Sequence, residues 1–335
     1  MPVIELMHHY TLHTAPTFCD YPFLLPLWQT TIPSLAFANP FLLHSVAALS
    51  SMHLAHLCSV SDSPAHVQAA LHHQDAALKL IRPSINDINQ QNASAMFVSA
   101  FLVSIFDIAS HSPDATPLFS PSSNSPSALP LNPFNDLSNA NSSTLCDPPF
   151  FAQDSTTFLT DSHNDIIAQL QTIFHLLRGV IAVMAASEDS IRTGPVASLV
   201  NQIPSNNAAP AALDVECALD RLAAFCAVAQ EGGSCMRAIK DLRLTFRNVG
   251  TTPARFHAVF KWAVTVDDGF LAALRSGEEI ALVVVGIFGV LFHGLDGWWW
   301  TRGWGRALVV AVEGRVETGE ARELLGWAMG RVRCG

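Results

Sequence analysis

Apolar residues recur at intervals of three and four along most of this chain, a spacing that predicts helices. The stretch at residues 39–57 is largely apolar and contains no charged side chain. It opens with Asn39, a residue type that caps helix N-termini, and with Pro40, which suits the first helical position. A helix with so few polar positions is expected to lie buried at the centre of an all-helical body.

The same spacing predicts further helices on both sides of this stretch. A short helix is predicted over residues 3–15, whereas four prolines predict that residues 16–38 wrap around the body without a long element. Later helices are predicted over residues 63–83, 89–110, 161–186, 214–230, 235–249, 253–274, 278–293, 298–312 and 320–332. Strict alternation of apolar and polar residues is nowhere visible, so the predicted fold class is all-α, a multi-helix array of antiparallel helices.

A polar segment interrupts the helical pattern at residues 112–149. Of these 38 residues, 22 are Ser, Pro or Asn, and none is basic. Such a segment cannot bury enough apolar area to offset the entropy of ordering it, so we predict a disordered insertion, either a linker or a docking segment. The predicted organisation is one domain in two helical parts, residues 1–111 and 158–335, separated by an insertion at 112–157.

Composition and charge narrow the classes of partner. Half of the 335 residues are apolar, only 14% are charged, and the net charge is −10. The first 160 residues contain two basic side chains, Lys79 and Arg82. Phosphate contacts require clustered Lys and Arg, so binding of nucleic acid by this chain is not expected.

One basic stripe lies on the helix predicted over residues 235–249. Its members recur on one side of that helix and are Arg237, Lys240, Arg243 and Arg247. A solvated face and a patch that faces DNA or a partner are both compatible with this pattern.

The sequence contains only weak signals of a catalytic or metal site. The seven cysteines contain no Cys-x-x-Cys pair. His9 and His13 have the spacing of a metal-binding pair, but the glutamate of the HExxH motif is missing and no third ligand is designated. GxSxG, P-loop and GxGxxG motifs are also missing from the sequence. We therefore expect no catalytic residues, no metal site and no enzymatic activity.

The hydropathy pattern also bears on membranes. The longest uninterrupted apolar run, Ile280–Phe292, has 13 residues, whereas a membrane-spanning helix needs about 20. The N-terminus lacks the basic and apolar regions of a secretory signal. We therefore expect a soluble protein without a membrane span.

Four tryptophans cluster near the C-terminus, at positions 298, 299, 300 and 304. On a continuous helix, Trp300, Trp304 and Leu308 would share one face and could wall an apolar cavity. Packing in the core is the alternative interpretation. The predicted ligand-binding residues, which add two phenylalanines of the preceding helix, are Phe288, Phe292, Trp300 and Trp304.

Several motifs in consistent order resemble the fungal-specific transcription factor domain, in its branch of sterol uptake control proteins. Near the start they are Glu5-Leu-Met-His-His9, Trp28, Asn39-Pro-Phe-Leu-Leu-His44 and Ala48-Leu-Ser-Ser-Met-His-Leu-Ala55. Near the end they are Glu279-Ile-Ala-Leu282, Leu291-Phe-His293, Trp299-Trp-Thr-Arg-Gly-Trp304 and Leu325-Gly-Trp327. The likeness covers nearly the whole chain outside the polar segment.

This resemblance implies an all-α regulatory domain that senses a ligand and controls transcription by RNA polymerase II. It also implies a nuclear location, with a cytoplasmic one when ligand is bound. Such domains usually follow a zinc-cluster DNA-binding domain with six cysteines. The scattered cysteines of this chain cannot form that cluster, so we expect no cofactor here, and zinc and DNA only through a separate N-terminal domain.

The expected partners follow from the same resemblance. They are an apolar, sterol-like small molecule and proteins of the transcription machinery, and a homodimer is compatible with it. The alternative is a stand-alone protein-interaction module related to such factors. An enzyme ranks third, because the chain lacks a convincing nucleophile and base.

Overall fold

A computed structural model describes residues 2–19, 21–59, 62–113, 165–201, 210–228, 233–249 and 255–333. Within these ranges the chain forms fifteen α-helices and no β-strand, so the predicted all-α fold is confirmed. The predicted insertion lies outside the described residues except for Ser112 and Pro113.

The N-terminal part contains five helices with short irregular turns between them. The helices are α1 (Val3–His9), α2 (Ile32–Ala38), α3 (Pro40–Leu57), α4 (Ser63–Ser84) and α5 (Ala93–Ser110). Two 3-10 turns, Ala15–Phe18 and Pro22–Leu24, and two π-helical turns, Tyr10–Thr14 and Leu27–Thr31, connect α1 to α2. The proline-rich stretch therefore wraps around the body, as predicted.

The remaining ten described helices follow the polar segment. They are α6 (Ile166–Ala186), α7 (Glu188–Thr193), α8 (Ala197–Asn201), α9 (Leu213–Val228), α10 (Gly233–Val249), α11 (Arg255–Thr265), α12 (Asp268–Ser276), α13 (Glu279–His293), α14 (Trp304–Glu313) and α15 (Gly319–Arg333).

Helix α3 lies at the centre of the N-terminal part. It packs against α1, α2, α4 and α5, and twelve of its eighteen residues are buried. Two of its buried hydroxyls donate to backbone carbonyls: Ser45 Oγ donates to Phe41 O at 3.0 Å and Ser50 Oγ donates to Leu6 O at 2.6 Å. The predicted central helix is therefore confirmed, although the Asn39 side chain donates back to Leu35 O instead of capping α3.

The main apolar core joins residues from both ends of the chain, from Met7 to Leu325. Helix α5 packs against α6. The Trp304 indole donates to Ile108 O at 2.9 Å, and Ser112 Oγ donates to Arg302 O at 2.7 Å. These bonds tie the C-terminal end of α5 to the start of α14.

Three sequence predictions of helix boundaries are wrong, each for a local reason. Residues 32–38 form α2, because Pro33 occupies its first turn, where proline is tolerated. The helix predicted over residues 253–274 is two helices, because the Asp267 carboxylate accepts from Phe270 N at 2.8 Å and starts α12. Helix α14 begins only at Trp304, because Gly303 adopts φ +83° immediately before it.

Two glycines allow α13 and α14 to approach closely. A Cβ atom on Gly305 would lie 2.3 Å from His293 N and 2.4 Å from Gly289 O, both backbone atoms. Since neither atom can turn aside as a flexible side chain can, only glycine fits at this crossing. The contact fixes α14, and with it the preceding turn, against α13.

Two helices are long and apolar enough to cross a bilayer by length and composition alone, namely α5 and α6. The pair α12 and α13, bent by 105°, would be a third if it formed one span. In the most apolar windows of α5 and α6, 83% and 50% of the residues are buried inside the protein. The length of the longest uninterrupted run underestimates how apolar these helices are, because isolated polar residues interrupt a run without making the helix polar. That the chain lacks a membrane span stays a prediction.

Candidate functional site

An open cleft of about 540 Å³ lies between the C-terminal end of α3 and the turn that precedes α14. This volume is within the range of about 300–1,000 Å³ that is usual for ligand sites. We call the turn at residues 294–303 the Trp turn. One wall comes from the N-terminal third of the chain and the other from the Trp turn; the lining residues are Thr17, His53, His56, Leu57, Gly297, Trp298, Trp299 and Arg302.

The Trp turn is held in shape by its own polar side chains. The buried Thr301 hydroxyl donates to Leu295 O at 2.6 Å. The Asp296 carboxylate accepts from Gly303 N at 3.1 Å and lies 2.7 Å from His293 Nδ1. With these bonds, the turn presents Trp298 and Trp299 to the cleft as a fixed surface.

Trp299 forms the floor of the cleft together with His53. Their rings stack with centroids 4.9 Å apart and an interplanar angle of 20°. The Trp299 indole donates to Thr17 Oγ1 at 3.1 Å, and Thr17 Oγ1 donates in turn to Thr14 O at 2.7 Å. His53 Nδ1 lies 3.1 Å from Thr14 Oγ1. This chain of bonds connects the two walls.

The histidines beneath the cleft are neutral at physiological pH. Burial, and next the neighbouring His9, lowers the pKa of His53 from 6.5 to about 3. Burial likewise lowers the pKa of His9 to about 4, with His13 adding to the effect. The His9 ring lies 5.3 Å from His53, and its Nε2 is buried without a hydrogen-bond partner among the described residues. Protonation of either ring would place an unsolvated charge at this site.

Among the described residues that line the cleft, Arg302 is the only Arg or Lys and none is Asp or Glu. Its Nε donates to Asp296 O at 3.4 Å, and it makes no ion pair with the part of the chain that the structure describes. The Asp296 carboxylate is directed instead to His293 and Gly303. The cleft is therefore an aromatic surface with one exposed cation at its edge.

The four predicted ligand-binding residues come together, but in the core. Phe288, Phe292, Trp300 and Trp304 are each at most 1% exposed. Ring centroids are 5.7 Å apart for Phe288 and Phe292, and 5.9 Å apart for Phe292 and Trp304. None of the four lines the cleft. That they contact a ligand stays a prediction.

Trp300 lies between the cleft and the core. It packs on Phe260 with ring centroids 5.8 Å apart and on Phe256 at 5.9 Å. Because helix α14 begins only at Trp304, the expectation that Trp300 and Trp304 share a helix face is wrong. Trp298 and Trp299 are the members of the tryptophan cluster that reach the cleft.

The sequence alone does not single out most of the lining residues. Its one signal is the run of tryptophans followed by Arg302, with two histidines at the end of the apolar segment 39–57. Nothing in the spacing brings Thr17 and Leu57 to the Trp turn, because this contact depends on how α3 packs.

The basic stripe of α10 is largely neutralised within the protein. Arg243 lies 2.8 Å from Glu216 and 2.6 Å from Asp220, both on α9. Arg247 lies 2.7 Å from Glu216, and Arg237 Nε donates to Asp267 at 2.8 Å. Three of the four stripe cations thus face carboxylates of this chain, which makes the stripe an internal contact between helices.

Comparison with known proteins identifies relatives of part of the chain. Sterol uptake control protein 2 of Candida albicans is 34% identical over 130 residues, which are 38% of this chain and 17% of that protein. Sterol uptake control protein 2 of Saccharomyces cerevisiae is 32% identical over 114 residues, 34% of this chain and 12% of that protein. The aligned stretch thus spans less than a fifth of the length of either relative.

A family model also matches the chain, over residues 5–117, which include α1–α5 and the first wall of the cleft. The model describes the fungal specific transcription factor domain. Residues 5–117 thus resemble the fungal specific transcription factor domain, which confirms the resemblance predicted from the sequence for this part of the chain.

Proposed function

We propose that this chain is a regulatory domain of a fungal transcription factor and that an apolar molecule of the sterol class controls it. The observation that carries the proposal is the match of residues 5–117 to the fungal specific transcription factor domain. Both relatives are named as sterol uptake control proteins. These names support regulation over catalysis and suggest the class of ligand.

The cleft offers such a ligand a surface shared by the two ends of the chain. A flat apolar molecule on Trp298 and Trp299 would also touch Leu57, which is 61% exposed. Removing about 200 Å² of apolar surface from water would contribute roughly 5 kcal/mol before the entropic cost of binding. Because α3 and the Trp turn form opposite walls, occupancy would stabilise their contact.

The regulatory domain would act in the nucleus through proteins of the transcription machinery. Pairing of Arg237, Arg243 and Arg247 with carboxylates leaves little free positive charge on α10 for phosphates. That pairing supports assigning DNA contacts to a separate zinc-cluster domain, which is the usual arrangement in the family that the chain resembles.

A reporter assay tests the proposal. The chain is fused to an unrelated DNA-binding domain in yeast, and reporter output is compared between sterol-replete cells and cells treated with an inhibitor of sterol synthesis. We expect output to change several-fold with sterol supply. Trp299→Ala, which removes the cleft floor, should abolish that change.

Trp327→Ala is the matched control, because Trp327 lies on α15 outside the cleft and donates to Asp214 at 3.3 Å. It should leave the response intact. Reporter output that ignores sterol supply would contradict ligand control, and output no higher than that of the isolated DNA-binding domain under every condition would contradict the transcriptional role.

A further inference from the structure

The edge of the cleft carries a positive charge that a purely apolar ligand would not use. Arg302 is exposed, lines the cleft and forms no ion pair within the described ranges. No Asp or Glu lines the cleft to neutralise it. The remainder of the lining is aromatic, aliphatic or neutral, apart from the two histidines of α3.

We infer that the cleft binds an anionic amphiphile, a molecule with a flat apolar body on Trp298 and Trp299 and a sulfate or carboxylate group at Arg302. This inference rests on the proposed function, because it names the chemical class of ligand for the same site.

The shape of the floor selects the apolar body. Trp299 lies nearly parallel to His53, and its indole nitrogen is fixed by Thr17. The Trp299 ring is therefore a flat surface whose indole nitrogen already has a hydrogen-bond partner. A planar, rigid molecule loses little conformational freedom on such a surface, so fused rings or a stiff chain fit better than a flexible one.

The charge of Arg302 selects the anionic group. A ligand that covers the cleft also removes water from the guanidinium, and an uncompensated loss of hydration is costly for a charge. A neutral ligand does not compensate for this lost hydration, whereas a sulfate or carboxylate accepts two hydrogen bonds from the planar guanidinium group. The contact with Asp296 O occupies only Nε, so the two terminal nitrogens remain to donate.

The net charge of the chain makes the local cation more important. With a net charge of −10, the protein as a whole repels anions. The carboxylate of Asp296, whose backbone carbonyl accepts from Arg302, lies 2.7 Å from His293 Nδ1 and accepts from Gly303 N at 3.1 Å. Arg302 is therefore the group that can offset this repulsion at the cleft.

A pair of probes that differ only in the charged group tests the inference. Pregnenolone and pregnenolone sulfate share one flat ring system, and their binding to the full chain is measured by calorimetry and by tryptophan fluorescence. We expect the sulfate to bind at least tenfold more tightly at 50 mM salt, with the advantage shrinking at 500 mM. Arg302→Gln should reduce the ratio to within twofold.

Matched variants separate local contact from general electrostatics. Arg306→Gln removes the same charge four residues later, outside the cleft lining, and should preserve most of the ratio. Trp299→Ala should weaken both probes by a similar factor. Unchanged circular dichroism and melting temperature for the arginine variants show that the fold is retained.

The outcomes distinguish this inference from the proposed function. Equal binding of the two steroids, or a ratio unchanged by Arg302→Gln, would overturn the inference that the ligand is anionic. Either result would leave the proposal of an apolar ligand intact. Failure of both steroids to bind overturns this inference, while the reporter assay still decides sterol control. Sodium sulfate that competes as strongly as pregnenolone sulfate would also overturn it, because the site would then recognise the anion without the body.

Discussion

Neutral His53 beneath the cleft should make the stability of this protein fall as the pH falls. The perturbation is a change from pH 7 to pH 5, compared between the wild-type protein and His53→Gln. His53 is 5% exposed and stacks on Trp299. Glutamine keeps a polar group near Thr14 but does not titrate in this range.

The magnitude follows from the shifted pKa. Folding lowers the pKa of His53 from 6.5 to about 3, so the unfolded chain takes up this proton at a higher pH than the folded one. Stability is then fully present above pH 6.5 and is lost as the pH falls toward 3. Between pH 6.5 and pH 5, at about 1.4 kcal/mol per pH unit, the loss attributable to His53 is about 2 kcal/mol.

Urea unfolding followed by tryptophan fluorescence at pH 5, 6 and 7 measures this effect. Burial also lowers the pKa of other histidines, among them His44 and His73. Their titration contributes to the pH profiles of both proteins. The difference between the profiles therefore isolates His53, and the free energy of unfolding of the wild type should fall by about 2 kcal/mol more than that of the variant.

Parallel pH profiles for the two proteins would refute this reasoning. They would mean that His53 keeps an ordinary pKa and that the stacked, buried environment under the cleft does not exist in solution. A second variant, His53→Asn, guards against an effect peculiar to glutamine and should reproduce the shallower profile.

Three further predictions concern stability at single positions. Gly305→Ala should destabilise the protein by about 3 kcal/mol in urea unfolding, because the added Cβ meets the backbone of α13 at 2.3 Å; Gly326→Ala, with nothing within 4 Å, is the control and should be neutral or slightly stabilising. Trp304→Phe should cost about 1–3 kcal/mol through loss of the buried bond to Ile108 O, and an unchanged free energy of unfolding would contradict this. Glu279→Gln should cost about 1 kcal/mol at pH 7, because this carboxylate accepts from two backbone amides ahead of α15 at 2.6 and 2.8 Å. Although burial alone would raise the pKa of Glu279, these bonds hold it below the ordinary value. The difference in stability should therefore vanish as the pH falls through that lowered pKa, and a difference that stays constant would contradict the assignment.

The sequence predicted helices well where one physical effect dominates. Residues 39–57 and 278–293 are so apolar that only buried helices suit them, and α3 and α13 begin within one residue of the predicted starts. Boundaries failed where a single residue decides, as at Asp267, whose side chain caps a new helix. Apolar spacing continues across this position and so does not reveal the break.

The candidate site was less predictable than the fold. The tryptophan cluster was located correctly in the sequence, but the left-handed backbone of Gly303 separates Trp300 from the helix that carries Trp304. The N-terminal wall depends on contacts between distant segments, such as the bond from Trp299 to Thr17. Periodicity describes one element at a time and carries no information about such pairs.

The bonds from Trp304 to Ile108 and from Ser112 to Arg302 affect where a fragment of this protein can end. The match to the family model ends at residue 117, yet α5, with fifteen of eighteen residues buried, packs against α6 and α7, which follow the polar segment. A fragment trimmed to the matched residues would expose the apolar surface of α5, and we expect it to aggregate on expression. In this chain, the segment that matches the family model is therefore shorter than the segment that we expect to fold on its own.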